Sequence, residues 1–344
     1  MGPNLMLPLY ILEFMTEHTD ETNALLPTEI VKGMKKRYGN EIVSKTETVV
    51  ENIEKWNLFF KSRYDGVKII EAVNGIGNGR YKRNLRYFLS ARKFDFSEIL
   101  FLHKLLLNSN AISQDAIQDM CSKLSDFLSY EQRKLLKQNI VTDGSMKTRN
   151  KAVFINLENI LKSIELKENI EFTYNEYNLE KKLVPRVRKY PYIVSPYDIT
   201  CSYGSYFLTG YHIPTKEVRT YRLDKITQLR SNLEFDYYME KGFDIKKHLE
   251  NAVFMHADSH KIHVRLRCEM RILDDVIERF DNCRLDKDLT SENHFFATIP
   301  DTTMLGMKYW ALEFSSACEV LEPEELRLEV RNTLARALAW YDEK

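Results

Sequence analysis

Residues 204–226 read Gly204-Ser-Tyr-Phe-Leu-Thr-Gly-Tyr-His-Ile-Pro-Thr-Lys-Glu-Val-Arg-Thr-Tyr-Arg-Leu-Asp-Lys-Ile226. Two β-rich runs, Tyr206–Tyr211 and Val218–Leu223, flank a short connection containing Pro214, the pattern of an antiparallel hairpin. Because strand side chains alternate, Arg219 and Tyr221 fall on one face of the second run and Thr220 and Arg222 on the other. Guanidinium forks beside aromatic rings suit a ligand with phosphates and flat bases. The same residues also fit a half-buried hairpin with a solvated basic edge.

Outward from the hairpin, β patterning runs from Ile170 to about Leu229, with Pro185, Pro191 and Pro196 between short strands, as in a small barrel. A helix is expected at Val153–Leu166 before it and a polar helical linker at Phe235–Glu250 after it. Ile262–Cys268 reads as a strand, Ile272–Phe280 as a helix, Phe295–Ile299 and Tyr309–Phe314 as strands, and Glu324–Tyr341 as a helix opened by Pro323. Toward the N-terminus, residues 5–60 read as three helices: Leu5, Leu9 and Leu12 on one face, a second helix capped by Thr28 and ended at Gly39, and a third from Ser44 with Glu47 completing a capping box. Val49, Ile53 and Trp56 form its buried stripe, which makes a helix-turn-helix unit. Val67–Val73 and Tyr81–Phe94 around Gly75, Gly77 and Gly79 form a hairpin wing carrying Arg80, Lys82, Arg83 and Arg86. Helices at Ser97–Asn108, Ser113–Ser129 and Tyr130–Gln138 follow, and the polar Thr142–Asn150 segment marks a boundary. The expected domains are 1–95, 96–150, 151–235 and 236–344.

The 344 residues have zero formal net charge, unevenly spread. Residues 61–93 hold nine Lys/Arg against two acids and residues 181–230 ten against three, +7 in each case, whereas residues 262–344 hold eleven against seventeen. Two basic islands imply two separate anionic partners, unless each merely offsets acidic neighbours in the fold. No apolar run reaches the ~18 residues of a membrane span, and the apolar Leu5–Met15 run lacks the basic flank and cleavage site of a secretion signal. Five scattered cysteines, an odd number without a C-x-x-C pair, point to a reducing cytoplasm. His256, His260 and His263 are clustered, but a turn at Ala257–Ser259 breaks helical ligand spacing, so no metal or other cofactor is expected. No G-x-S-x-G, P-loop or H-E-x-x-H occurs, and no enzyme activity is expected.

The hairpin resembles the signature of the WYL-domain family of bacterial transcription regulators. Tyr206, Phe207 and Leu208 stand where that family has Trp-Tyr-Leu, and Arg219-Thr-Tyr-Arg222-Leu-Asp matches its second strand. The stretch from Trp310 to Arg327, W-A-L-E-F-S-S-A-C-E-V-L-E-P-E-E-L-R, resembles the C-terminal extension behind the WYL domain. The resemblance implies an α+β multidomain chain: an N-terminal winged helix-turn-helix, a helical connector, a small Sm-like β-barrel and a ferredoxin-like C-terminal domain, in a homodimer. It also implies a barrel that senses a nucleotide or single-stranded nucleic acid through Ser195, Tyr197, Tyr206, Arg219 and Arg222. Tyr211 offers a further stacking ring, and Arg186, Arg188 and Lys189 extend the basic groove. Arg222 could instead bond a carboxylate such as Asp224.

For double-stranded DNA, the candidate contacts are Ser44, Lys45, Thr46 and Thr48 at the start of the third helix, with Arg80, Lys82, Arg83 and Arg86 of the wing. Where the family commonly has a basic residue followed by Asp-Ile, this chain has Glu51, Asn52 and Ile53. Glu47, Glu51 and Glu54 against Lys45 and Lys55 make the helix net acidic, which opposes phosphate contact. Two functions follow: an effector-responsive transcription regulator, or a nucleic-acid-binding accessory protein whose helix-turn-helix no longer reads specific DNA.

Overall fold

A computed structural model describes residues 6–43, 45–61, 68–74, 85–138, 147–187, 191–202, 204–249 and 261–342. They fall into two units, one essentially residues up to 147 and the other from 148 onward with the short 110–112 segment.

In the first unit, helices α1 (Leu7–His18), α2 (Pro27–Tyr38) and α3 (Thr46–Lys61) precede an antiparallel pair, β1 (Ile70–Asn74) and β2 (Leu85–Leu89). Ile11, Phe14 and Met15 of α1, Ile30 and Met34 of α2, and Val49 and Ile53 of α3 form one core with Ile70 and Leu89. This is the order of a winged helix-turn-helix. The cap of α2 is Leu26 rather than Thr28: Pro27 occupies the first helical position, where its missing N–H costs nothing, and the Leu26 N–H donates to Glu29 Oε2 at 2.8 Å. Helices α4 (Phe96–Asn108), α5 (Gln114–Ser125) and α6 (Tyr130–Gln138) follow and share a smaller core of Ile99, Leu128 and Leu136.

Buried Asp20 and half-buried Arg92 join these helices to the winged part. Asp20, after α1, accepts from Thr22 N, Thr22 Oγ1, Asn23 N and the Ser129 hydroxyl. Burial would raise its pKa, but those donors hold it below the usual carboxylate value. Arg92 donates to the Thr16, Thr19 and Phe127 carbonyls.

In the second unit, α7 (Val153–Leu166) leads into strands β3 (Asn169–Tyr177), β4 (Leu183–Pro185), β5 (Tyr192–Ser202), β6 (Ser205–His212), β7 (Glu217–Arg222) and β8 (Ile226–Asn232). Strands β3, β5, β6 and β7 pair antiparallel in that order, with β8 and β4 also on β3. A single 3-10 turn, Leu223–Lys225, joins β7 to β8. The sheet curls into a half-barrel around Ile170, Phe172, Val194, Leu208, Tyr221, Leu223 and Ile226, with Ile160 of α7 in the same core. Asn150, just before α7, is buried and donates to the Asp224 and Ile226 carbonyls at 3.0 and 2.7 Å, while its Oδ1 accepts from Ala152 N at 2.9 Å. One amide thus satisfies both the helix start and the 3-10 turn.

The residues after β8 carry bends and a turn, and of the predicted 235–250 helix only Ile245–Leu249 (α8) is helical among the described residues. Then β9 (Ile262–Glu269), α9 (Leu273–Arg279), β10 (Arg284–Leu285), β11 (His294–Thr302), α10 (Met304–Glu313) and β12 (Cys318–Glu322) form a β-α-β-β-α-β module whose sheet order is β10-β11-β9-β12, with α11 (Glu324–Asp342) added. That order is ferredoxin-like. The expected strand Tyr309–Phe314 is instead the end of helix α10 up to Glu313, with Phe314 as its cap. Its aromatic composition mimics a strand, but Gly306, Met307, Trp310 and Ala311 recur at helical spacing and are the residues buried.

Candidate functional site

On the barrel, strand pairing assigns each predicted ligand residue to a face. Ser195 lies opposite Tyr211, Tyr211 opposite Val218, and Phe207 opposite Arg222, so Ser195, Tyr211 and Arg222 share the outer face. Tyr206 lies opposite Cys201 on the inner face and packs against the core. Arg219, opposite Gly210, also belongs to the inner face. Tyr197 sits in the bulge of β5 between Pro196 and Asp198. The two arginines of β7 therefore serve different faces and do not form one clamp.

Each arginine already has a carboxylate. Arg222 donates from Nε and Nη2 to the two oxygens of buried Asp224, 3.0 Å each, the alternative that the sequence left open. That fork raises its pKa and holds the guanidinium in one orientation on the outer face. Its Nη1 has no hydrogen-bond partner among the described residues. Arg219 pairs with exposed Glu217 at 2.7 Å and Arg186 with Glu176 at 3.2 Å, both solvent-screened contacts. Arg188 and Lys189 lie outside the described residues.

The outer face is covered by the chain itself. Following β8, the segment 233–243 runs across it as a strap. Tyr238 packs on Tyr211 with ring centroids 4.3 Å apart and planes tilted by 39°, and Phe243 on Tyr197 at 4.8 Å and 54°. Tyr238 N donates to Ser195 Oγ at 3.0 Å, Tyr237 Oη to Pro196 O at 2.7 Å, and Glu240 N to Tyr197 Oη at 3.2 Å. Ser195 Oγ in turn donates to Asn169 Oδ1 at 2.6 Å, and Asn169 Nδ2 to Phe235 O at 2.6 Å. Burial pushes the Tyr197 phenol up to about 12. Yet Phe235, Tyr238 and Met239 of the strap stay nearly half exposed, so its grip is shallow. Sequence reasoning missed the strap because D-Y-Y-M-E-K-G-F, residues 236–243, is rich in acids and lysine; its aromatic density was the available signal.

On the winged unit, α3 exposes Glu47, Glu51 and Glu54, one stripe at i, i+4 and i+7. These three line a groove of about 730 Å3 between α3 and the β1–β2 pair, with Thr46 and Lys68 on its walls. Lys45 is exposed, and Thr46 and Thr48 are half-buried at the helix start. Asn52 is buried and donates to Thr48 O at 2.7 Å, and Ile53 belongs to the core, so neither faces a partner. Arg86 is held within the fold, donating to Ala24 O at 2.9 Å and Glu29 Oε2 at 3.0 Å. Ser44, Arg80, Lys82 and Arg83 lie outside the described residues, as do His256 and His260.

Two family models match the chain, WYL domain over residues 156–231 and WCX domain over residues 259–338. Among solved structures, the proteasome accessory factor B/C (PafBC) of Arthrobacter aurescens is similar at 13% identity and TM-score 0.27, covering 98% of this chain and 49% of that one, so the chain spans about half its length. A CRISPR Cas-related protein is similar at 11% identity and TM-score 0.37, covering 97% of this chain and 84% of that one. Among curated proteins, none matches.

Proposed function

We propose that this chain, a WYL-domain protein with a WCX domain behind its barrel, is an effector-responsive transcription regulator. In this reading the barrel's outer face senses single-stranded nucleic acid, and the winged unit binds a double-stranded operator as a homodimer in the cytoplasm. The protein acts by binding rather than catalysis. No helix among the described residues is long and apolar enough to cross a membrane.

The observation that carries the reading is the outer face itself. Two tyrosines there already hold aromatic rings at stacking distance, and Arg222 stands on the same face with its orientation fixed by Asp224. Rings and a guanidinium are the two groups that single-stranded nucleic acid needs. Phe207, the cross-strand partner of Arg222, is four positions from Tyr211 on β6, a span of about 13 Å at ~3.3 Å per residue. At ~3.4 Å per stacked nucleotide that span fits an oligonucleotide of about four. A mononucleotide cannot reach both ends. Rings of the strap occupy the stacking positions, so ligand entry requires the strap to leave.

The test is a polarisation titration of labelled short single-stranded DNA against the parent chain and Arg222→Ala and Arg222→Lys variants. Binding that falls about tenfold or more in both variants, with Lys unable to replace the fork, supports the reading. Equal affinity in all three retires it. A second reading, an accessory protein that no longer reads specific DNA, is favoured by the acidic stripe on α3. Salt-dependent gel shift of the protein's own upstream DNA supports the regulator, and its absence at low salt supports the accessory role.

A further inference from the structure

Along the β3–β8 side of the barrel lies a groove of about 600 Å3 whose lining includes none of Ser195, Tyr197, Tyr211 and Arg222. Its floor is Thr173, Asn175, Thr227 and Gln228, and its rim carries Arg149, Lys151 and Lys182. Among the described residues, no acidic side chain lines it. Lys182 pairs with Glu180, but both are mostly solvent-exposed, so the pair cancels little of the field. Three cations around a concavity focus positive potential more than the same charges on a convex surface.

The floor presents donors. Asn175 Nδ2 donates to Thr227 Oγ1 at 2.8 Å, which leaves that hydroxyl's own hydrogen unused among the described residues. Thr173 Oγ1 donates to Gln228 Oε1 at 2.9 Å, which leaves the Gln228 amide hydrogens unused in the same way. The β3–β8 ladder is interrupted here, with a register shift between Glu171 and Thr173, and Gln228 holds φ at 52°, in the left-handed region. Bulges of this kind re-aim side chains beside binding sites. A guanidinium fork, two ammonium groups and neutral donors, with no carboxylate among the described lining residues, suit an oxyanion.

We infer that this groove binds a phosphate-bearing small molecule of about mononucleotide size, as a second ligand of the barrel independent of the Ser195–Tyr211–Arg222 patch. Its volume lies in the small-molecule range of roughly 300–1,000 Å3. The phosphate sits against Arg149 and Lys182, and the remainder of the ligand lies along Thr227 and Gln228.

The experiment is calorimetry of the full chain with inorganic phosphate, AMP and adenosine as probes. Phosphate and AMP are expected to bind with one-to-one stoichiometry, adenosine about tenfold or more weakly than AMP. Arg149→Glu and Lys182→Glu, both at exposed positions and checked for an unchanged melt, are expected to lower AMP affinity about tenfold each, whereas Arg222→Ala leaves it unchanged. AMP affinity that is the same in the parent and both charge reversals overturns the inference, as does adenosine binding as well as AMP. Loss of oligonucleotide binding with AMP binding intact retires only the outer-face reading. AMP failing to bind while oligonucleotide still does retires only this one.

Discussion

Tyr211 and Tyr197 on the barrel are each covered by a ring of the chain's own strap, whereas Glu47, Glu51 and Glu54 on α3 stand open to solvent. The covered surface has the chemistry for nucleic acid, and the open one has the wrong charge for it. Both arrangements restrain binding, by different means. In the proposed reading the restraint on the barrel is a conformational equilibrium, because a ligand would reach only the fraction of molecules whose strap has left. On α3 it is a fixed electrostatic cost that every double-stranded partner meets and salt reduces. In that reading the first restraint would be switchable and the second constant, the division of labour the proposal asks of a sensor and an output.

The strongest way to break the comparison is to remove one side of it. A Cβ on Gly210 would sit 2.6 Å from Ser195 O and 2.6 Å from Val194 Cγ1, so Gly210→Ala must push β6 away from β5. Overpacking of that severity costs about 3 kcal/mol, which lowers the melting transition of the unit from Thr148 onward by roughly 6–12 °C in scanning calorimetry. Oligonucleotide binding should fall with it while double-stranded DNA binding by the separate winged unit persists. If both activities fall together, the two surfaces are not independent.

Next in size is the charge on α3. Glu47→Lys combined with Glu51→Lys is expected to raise affinity for double-stranded DNA about tenfold or more at low salt, and to steepen the log K against log salt slope by ~0.9 per phosphate gained. Fluorescence polarisation at several salt concentrations reads both. An unchanged slope would show that α3 does not face DNA.

A smaller effect is expected at the strap. Tyr238→Ala removes the ring on Tyr211, worth about 0.5–1.5 kcal/mol beyond its buried area. Oligonucleotide affinity should therefore rise about two- to tenfold by titration. A decrease would make Tyr238 part of the binding surface and not its cover.

Much of the fold was legible in the sequence. The Val153–Leu166 helix stands where periodicity put it, because Val153, Leu157, Ile160 and Ile164 recur every three or four positions, and Tyr130–Gln138 is also helical. The 204–226 hairpin and its face assignment follow from alternation alone, and the rivalry between ligand and Asp224 for Arg222 was visible as two residues of one strand end. Tyr309–Phe314 misled because ring content outweighed periodicity over six residues. The strap was illegible for a different reason. A run of tyrosines shows that something will be covered, but the partners of Tyr238 and Phe243, residues 211 and 197, are set by how a bulged strand and its neighbour curl.

The smallest expected effect concerns acid. His212 is buried at the end of β6, where Nε2 donates to Pro191 O at 3.1 Å. A carbonyl only accepts, so Nε2 carries the proton and Nδ1 accepts from Thr215 Oγ1 at 2.7 Å. Burial lowers the His212 pKa from 6.5, and Arg219 lowers it further, against Glu217. The unfolded chain therefore takes up the proton first as the pH falls. His212 contributes its full stability above about pH 6.5 and loses it progressively below, down to its depressed folded-state pKa. His18 and His103 in the N-terminal unit are also lowered, chiefly by burial, so that unit weakens in acid by itself. The separating variant is His212→Gln. Between pH 7.5 and 5.5 the parent should lose stability in both units, and the variant should flatten only the barrel's share. A variant whose barrel transition still falls as steeply as the parent's would mean that the acid response belongs to other groups.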